Sequence, residues 1–110
     1  MLVFTEEWQH RTIVRDNYDY KLNNTRFCET LEEGSYYEFQ LFNGVEVVVA
    51  KCDTQDKWLF DKHRWHVNNN IVKSRFEGKP IVFARLITEE PSGGVNYRNG
   101  DHMDLRRSKN

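Results

Sequence analysis

The chain has 110 residues, of which 30% are charged and 14% are aromatic. This length can hold one modest hydrophobic core, and the aromatic content excludes a disordered chain. No apolar run approaches the roughly 18–20 residues of a membrane helix. Residues 1–9 carry two acidic side chains and no basic stretch, so no signal peptide is predicted and a cytoplasmic protein is expected.

The near-neutral net charge of −1 hides an asymmetry along the chain. Residues 1–50 carry 4 basic and 9 acidic side chains, and residues 51–110 carry 12 and 8, giving net charges of −5 and +4. A basic second half is compatible with phosphate contacts. The acidic first half either faces away from nucleic acid or binds a basic protein, and charge alone does not choose between these two.

The first 35 residues give weak signals for secondary structure. Residues 12–14 favour a short strand because β-branched side chains are concentrated there. Asp16-Asn17 and Asn23-Asn24 are typical of turns.

The clearest local signal covers residues 36–51. Two β-rich runs flank Asn43-Gly44, a dipeptide typical of tight hairpins because both of its positions favour positive φ. The consecutive residues Val47, Val48 and Val49 predict a second strand that is covered on both faces.

Further along, Asp53 is predicted to cap a short helix with acidic residues in its first turn. Residues 65–67 and 71–76 then favour two strands around a run of three asparagines. A turn at residues 77–80 and a third strand at 81–83 would complete a small twisted sheet. The remaining predicted elements are, in order, a helix at 84–89, a loop at 91–94, a strand at 95–98, a turn at 99–101 and a helix at 104–109.

The predicted fold class is therefore α+β. We expect a small single domain with an antiparallel hairpin or sheet and short helices. It would consist of an acidic, hairpin-containing region at residues 1–52 and a second region at residues 53–110, packed together.

The cysteines and histidines give no metal-binding pattern. Cys28 and Cys52 are far apart and neither is in a C-x-x-C pair, so we expect two buried thiols. His63 and His66 are three residues apart near Asp61, but they fall at a predicted helix-to-strand junction without a third ligand. No metal or other cofactor is therefore expected.

Three segments of the last third carry a resemblance to a known family. They are Phe-Ala-Arg-Leu-Ile at 83–87, Pro-Ser-Gly-Gly-Val-Asn-Tyr-Arg-Asn-Gly-Asp at 91–101 and Asp-Leu-Arg-Arg-Ser at 104–108. In order and spacing they resemble phage-type HNH homing endonucleases. Those proteins carry a His-Arg-Leu-Ile helix, a Gly-containing loop, a Val-Asp/Asn-His-x-Asn/Asp-Gly motif and an Asp-Asn-Arg-x-x-Asn-Leu motif. Residues 53–79 are similar to the AP2-like small sheet that often precedes the nuclease finger, so the resemblance covers residues 53–110 and implies a C-terminal ββα finger.

The resemblance also implies that catalysis has been lost. Asn96 fits the position before the family's general base, but Tyr97 replaces that histidine, and a tyrosine with an ordinary pKa near ~10 is a poor base. The family's two later asparagines fall on Leu105 and Lys109. We therefore expect no catalytic residues and no enzyme activity, with a metal-dependent nuclease that uses a displaced Asp101-His102 site as an alternative.

What remains of the finger is a basic surface. We predict a DNA-binding module in which Trp58, Trp65 and Phe76 are core residues rather than stacking platforms. An alternative is a phage-encoded inhibitor or adaptor that binds a host or defence protein, such as a nuclease, in the host cytoplasm. No small-molecule substrate is evident. The side chains predicted to contact DNA or a protein partner are Lys73, Arg75, Lys79, Arg98, Arg106, Arg107 and Lys109.

Overall fold

The computed structural model of the protein describes residues 2–87 and 100–107, and the side chain of Leu2 is not described. Within these residues the chain forms antiparallel sheets and two short helices. The strands are β1 (Leu2–Thr5), β2 (Thr12–Arg15), β3 (Tyr18–Lys21), β4 (Thr25–Thr30), β5 (Gly34–Phe42), β6 (Val47–Asp53), β7 (His66–Asn68), β8 (Ile71–Phe76) and β9 (Lys79–Val82). The helices are α1 (Lys57–Lys62), which follows a 3₁₀ turn at Thr54–Asp56, and α2 (Phe83–Ile87). None of the described helices has the length and apolar composition needed to cross a membrane.

The largest sheet has the strand order β1-β4-β5-β6. On β5 and β6, alternate residues point to the same face, so Phe39 and Leu41 lie beside Ala50 and Val48 on the side that packs against the core. The other face carries Phe42 and Val47, which are directly paired and about half exposed. One face of this sheet therefore packs against the hydrophobic core.

The predicted hairpin at residues 36–51 is confirmed, but its turn is longer than two residues. The strands are joined by residues 43–46, and Asn43 Oδ1 accepts hydrogen bonds from the backbone N–H groups of Val45 and Glu46 at 2.9 and 2.8 Å. Only Gly44 within the loop has a positive φ, of 97°. The expectation that β6 is covered on both faces is wrong, because Val47 and Val49 are 60% and 39% exposed on the outer face of an edge strand.

The small predicted sheet is confirmed as β7-β8-β9. Its two connections are two-residue turns, at Asn69-Asn70 with φ of 52° and 62° and at Glu77-Gly78 with φ of 51° and 78°. A third turn of the same kind, at Asp16-Asn17, joins β2 to β3. Asparagine, aspartate and glycine enter the left-handed region more readily than other residues, and they fill all of these turn positions except that of Glu77.

The core is built around Phe60, whose ring stacks on Phe39 with 3.5 Å between centroids and contacts Trp65 and Phe83. Trp65 is 1% exposed, and its Nε1–H donates to the carbonyl of Leu59 at 3.0 Å. Residues from both sides of position 52 pack into this one cluster. The prediction of a small single domain with antiparallel sheets and short helices is thereby confirmed.

The prediction that three aromatic residues lie in the core is wrong for two of them. Trp58 is 53% exposed and lies under Lys62 of the same helix, and Phe76 is 52% exposed and contacts His63. Helix α1 is only six residues long, so it buries Leu59 and Phe60 and turns Trp58 outward. Of the three aromatic residues, only Trp65 lies in the core as predicted.

The helix expected from Asp104 is wrong over residues 104–107. This segment runs extended beside β6: the N–H of Lys51 donates to Met103 at 2.8 Å, and the N–H of Leu105 donates to Lys51 at 2.7 Å. Pairing with the edge of β6 places Leu105 in the core at 2% exposure. The predicted strand at residues 95–98 and the end of the expected finger, from Ser108, lie outside the described residues.

Candidate functional site

Arg106, one of the predicted contact residues, is buried in ion pairs. Its guanidinium makes a two-pronged contact with Asp104, at 2.7 and 2.6 Å, and pairs with Glu33 at 2.9 Å. Hydrogen bonding to Asp104 is the main cause that raises its pKa above the ordinary value, and burial opposes it. With 4% of its side chain exposed, Arg106 contributes structure rather than a surface charge.

Arg107 fastens the C-terminal segment to the start of α1. Its guanidinium reaches both carboxylate oxygens of Asp56, at 3.0 and 2.7 Å, and its N–H donates to Asp53 Oδ2 at 2.8 Å. Asp53 stands at the N-cap position of the 3₁₀ turn, as predicted, but its side chain makes no capping hydrogen bond and accepts the N–H of Arg107. Arg107 is therefore engaged in intramolecular contacts and does not line the groove between the large sheet and the three-stranded sheet.

The other positions from the nuclease resemblance divide into two groups. Leu105, at an expected asparagine position, is a core residue, and Asn96, Tyr97, Arg98 and Lys109 lie outside the described residues.

Asp101 closes a local turn, because its Oδ1 accepts the N–H of Met103 at 2.9 Å and its carbonyl accepts the N–H of Asp104 at 3.0 Å. Across residues 2–87 and 100–107, no group of three or more His, Cys, Asp or Glu side chains is arranged to hold a metal ion.

The remaining predicted cations lie on the three-stranded sheet. Lys73 is half-buried beside His66 in the register, and Arg75 is exposed opposite Pro80. Lys79 is exposed at the start of β9. Of these three, only Arg75 borders the groove between the large sheet, the β2–β3 hairpin and the three-stranded sheet.

A groove of about 650 Å³ opens between the large sheet, the β2–β3 hairpin and the three-stranded sheet. Its basic lining consists of Lys21, Arg64, Arg75 and His66, and its apolar lining includes Phe42 and Val47. Among the described residues that line it there is no aspartate or glutamate. The groove therefore brings several cations together without a neutralising carboxylate in its walls.

The three permanent cations of the groove are also unpaired in the described part of the chain. Other cations, such as Arg26, Lys57 and Arg107, have carboxylate partners within 4 Å. Lys21, Arg64 and Arg75 have none among residues 2–87 and 100–107. Their charges are thus available to an anionic ligand.

Asn23 fixes the floor of the groove. Its Nδ2 donates to the carbonyls of Gln40 and Trp65 at 3.0 and 2.8 Å, and its Oδ1 accepts the N–H of Trp65 at 2.7 Å. It therefore ties β5 to the segment that leads into β7. Asn23 is 7% exposed, and its two hydrogen bonds with the backbone of Trp65 satisfy buried polar groups.

The β2–β3 hairpin forms another wall. Arg15 donates to the carbonyl of Lys62 at 2.7 Å and lies over the ring of Tyr20 at 4.9 Å. The Tyr20 hydroxyl in turn accepts the N–H of Arg64 at 3.4 Å. Next to the floor, Asn24 Nδ2 donates to Gln40 Oε1 at 3.0 Å, while Asn24 Oδ1 is buried without a hydrogen-bond partner among the described residues.

Sequence reasoning missed Lys21, Arg64 and Phe42 as surface residues that belong together. The alternation in His63-Arg64-Trp65-His66-Val67 was a usable signal, because its odd-numbered members are buried and Arg64 and His66 are exposed. No pattern in the sequence connects β3, β5 and β8, which are brought together only by folding.

Both cysteines are free and buried, as predicted. Burial is the largest cause that raises the pKa of the Cys28 thiol to about 11, and the neighbouring carboxylate of Glu38 adds to it. Burial likewise raises the pKa of Cys52. Both groups are therefore neutral thiols at pH 7, with no reactive thiolate.

His63 makes stability depend on pH. It lies edge-on to Trp65 and Phe76, and burial, followed by the charges of Lys62 and Arg15, lowers its pKa below 6.5. Because the unfolded chain takes up this proton first, the protein should lose stability as the pH falls below 6.5, down to the folded-state pKa. His63→Phe should flatten this decline in melting temperature measured across a pH series. His10→Gln, at an exposed histidine, is the control, and an unchanged slope in His63→Phe would contradict the assignment.

The chain was compared with known proteins in three ways. No family model, curated protein or solved structure matches it.

Proposed function

We propose that the protein is a non-catalytic nucleic-acid-binding domain and that the groove is its contact surface. The observation that carries the proposal is the meeting of Lys21, Arg64 and Arg75 in a groove whose described lining contains no carboxylate. Phosphate contacts supply most of the affinity of nucleic-acid-binding proteins, and arginine contacts phosphate in two-pronged geometry. A groove with unpaired cations therefore suits a polyanion.

The cluster of acidic residues at 29–33 lies at the opposite end of β5 from the groove. Glu29, Glu32 and Glu33 surround the turn that precedes Gly34, where β5 begins. Phe42, at the groove, lies eight residues further along β5, about 26 Å away at roughly 3.3 Å per residue. This separation exceeds the screening length of about 8 Å at physiological salt, so the acidic turn weakens the potential of the groove only slightly.

The non-catalytic part of the proposal rests on the sequence. Tyr97 occupies the position of the general base in the resemblance to HNH endonucleases, and Leu105 occupies that of an asparagine. The packing of Leu105 in the core gives that residue a structural role. A nuclease-derived scaffold that keeps a basic surface is consistent with binding without cleavage.

A salt titration tests the proposal. Fluorescently labelled oligonucleotides should bind at low salt, with affinity that falls as salt is raised. Arg64→Glu combined with Arg75→Glu should weaken binding at least tenfold and reduce the slope of log affinity against log salt by about 2. Arg85→Glu, at an exposed site on α2 away from the groove, is the charge-matched control for each of the single variants Arg64→Glu and Arg75→Glu.

Two results would overturn the proposal. One is the absence of binding to any oligonucleotide at low salt. The other is equal loss of affinity in the single groove variants and the Arg85 control, because general charge and not the groove would then explain the binding.

A further inference from the structure

The groove has an apolar wall beside its basic one. Phe42 and Val47 are paired across β5 and β6, and their side chains are 54% and 60% exposed. Both line the groove together with Arg64 and Arg75. A ligand that fits this lining presents apolar faces and negative charges along the same short length.

Duplex and single-stranded nucleic acids differ in this respect. A duplex keeps the faces of its bases stacked inside, and proteins read it by inserting a helix or a two-stranded ribbon into its grooves. A single strand exposes both its phosphates and the faces of its bases, and it binds in basic grooves where bases stack on aromatic rings. The basic residues here line a concave surface, which admits a strand and does not protrude into a groove.

We infer that the groove binds single-stranded nucleic acid, with phosphates at Arg64, Arg75 and Lys21 and bases against Phe42 and Val47. This inference rests on the proposed function. Under this inference Phe42 contacts the bases, whereas the cations of the groove contact only the phosphates. The inference also explains why large apolar side chains are left uncovered next to the cations.

The floor of the groove connects the elements that carry its walls. Asn23 joins β5 to Trp65, and the Phe42–Val47 pair closes the same hairpin. Hydrogen bonds and strand pairing therefore connect Trp65, next to Arg64, to the strands that carry the apolar wall. A preformed site of this kind loses little conformational freedom when a ligand binds.

Competition between matched probes tests the inference. The probes are short oligothymidylate, oligouridylate, a duplex of equal length, an abasic oligodeoxynucleotide and poly-glutamate. The single strands are expected to bind about tenfold more tightly than the duplex or the abasic strand, because stacking adds to the phosphate contacts. The relative affinities of oligothymidylate and oligouridylate then show whether the sugar distinguishes DNA from RNA.

Phe42→Ala should lower the affinity for oligothymidylate about tenfold and leave the affinity for the abasic strand unchanged. Val45→Ala, in the same hairpin but 87% exposed and outside the groove, is the matched control. If Phe42→Ala disturbs folding, Val47→Thr replaces it as the test variant. Threonine preserves the β-branched shape favoured in strands, and this substitution should also lower the affinity for oligothymidylate.

The outcomes separate this inference from the proposed function. Equal or tighter binding of the duplex, or equal displacement by poly-glutamate, would overturn the single-strand assignment. Duplex binding that still depends on Arg64 and Arg75 would leave the proposed function standing. Failure of every nucleic-acid probe at low salt would overturn both.

Discussion

Replacing Arg107 with methionine is expected to lower the free energy of unfolding by about 3 kcal/mol, because it leaves a buried carboxylate without its cation. The carboxylate is that of Asp56, whose side chain is 2% exposed, whereas the side chain of Arg107 is 40% exposed. The exposure of Arg107 places the expected loss at the lower end of the range for broken buried pairs. Urea unfolding followed by circular dichroism measures it.

A double-mutant cycle separates the ion pair from other effects. Asp56→Asn combined with Arg107→Met removes the buried charge, so the double variant should be more stable than Arg107→Met alone. Arg85→Met, at an exposed arginine, is the matched control and should change stability by less than about 0.5 kcal/mol. A loss below about 1 kcal/mol in Arg107→Met would show that the C-terminal segment does not depend on this pair.

Asn23→Asp is expected to cost a comparable amount, about 3 kcal/mol. An aspartate keeps the acceptor for the N–H of Trp65 but cannot donate to the carbonyls of Trp65 and Gln40. It also places a negative charge at a site that is 7% exposed. Since Asn23 forms the floor of the groove, oligonucleotide affinity should fall together with stability.

Asn68→Asp provides the control, because it makes the same chemical change at an exposed position on β7. Its melting temperature should stay close to that of the parent protein. A loss in Asn23→Asp no larger than in Asn68→Asp would contradict the assigned role of the buried amide.

The sequence predicted those parts of the fold that local chemistry determines. The turns at Asp16-Asn17 and Glu77-Gly78 contain aspartate, asparagine and glycine, which accept a left-handed backbone, and the β-rich runs at 12–14 and 71–76 predicted the strands that precede them. Strand β3, which follows the first turn, was not predicted. Trp65, predicted to be a core residue, is 1% exposed and lies just before β7 begins.

The sequence did not predict the features that depend on distant pairing. Asp104 and its neighbours have a composition compatible with a helix, but the free edge of β6 at Lys51 and the open core position filled by Leu105 favour an extended path. Similarly, Arg106 was expected at the surface, yet Glu33, which lies 73 positions away, and Asp104 bury it. These outcomes follow from contacts that no short pattern contains.

The groove shows the same limit at the functional site. Of the seven side chains predicted to contact a partner, Arg75 lines the groove, whereas Lys21 and Arg64 were found only from the folded arrangement. The prediction of a basic surface in residues 51–110 nevertheless identified the half of the chain that supplies two of its three permanent cations. Under the proposal, the first half contributes Lys21 and the apolar wall.

A nuclear magnetic resonance titration with a short oligothymidylate would show whether nucleic acid binds in the groove. Backbone amide signals of Arg64, His66 and Arg75 should shift progressively and saturably, while those of Glu32 and Gly34, at the distant acidic turn, should stay in place. Saturable shifts confined to the groove are the predicted result. Unchanged spectra at low salt, or shifts centred on the acidic turn, would contradict the assignment of the groove as a nucleic-acid-binding site.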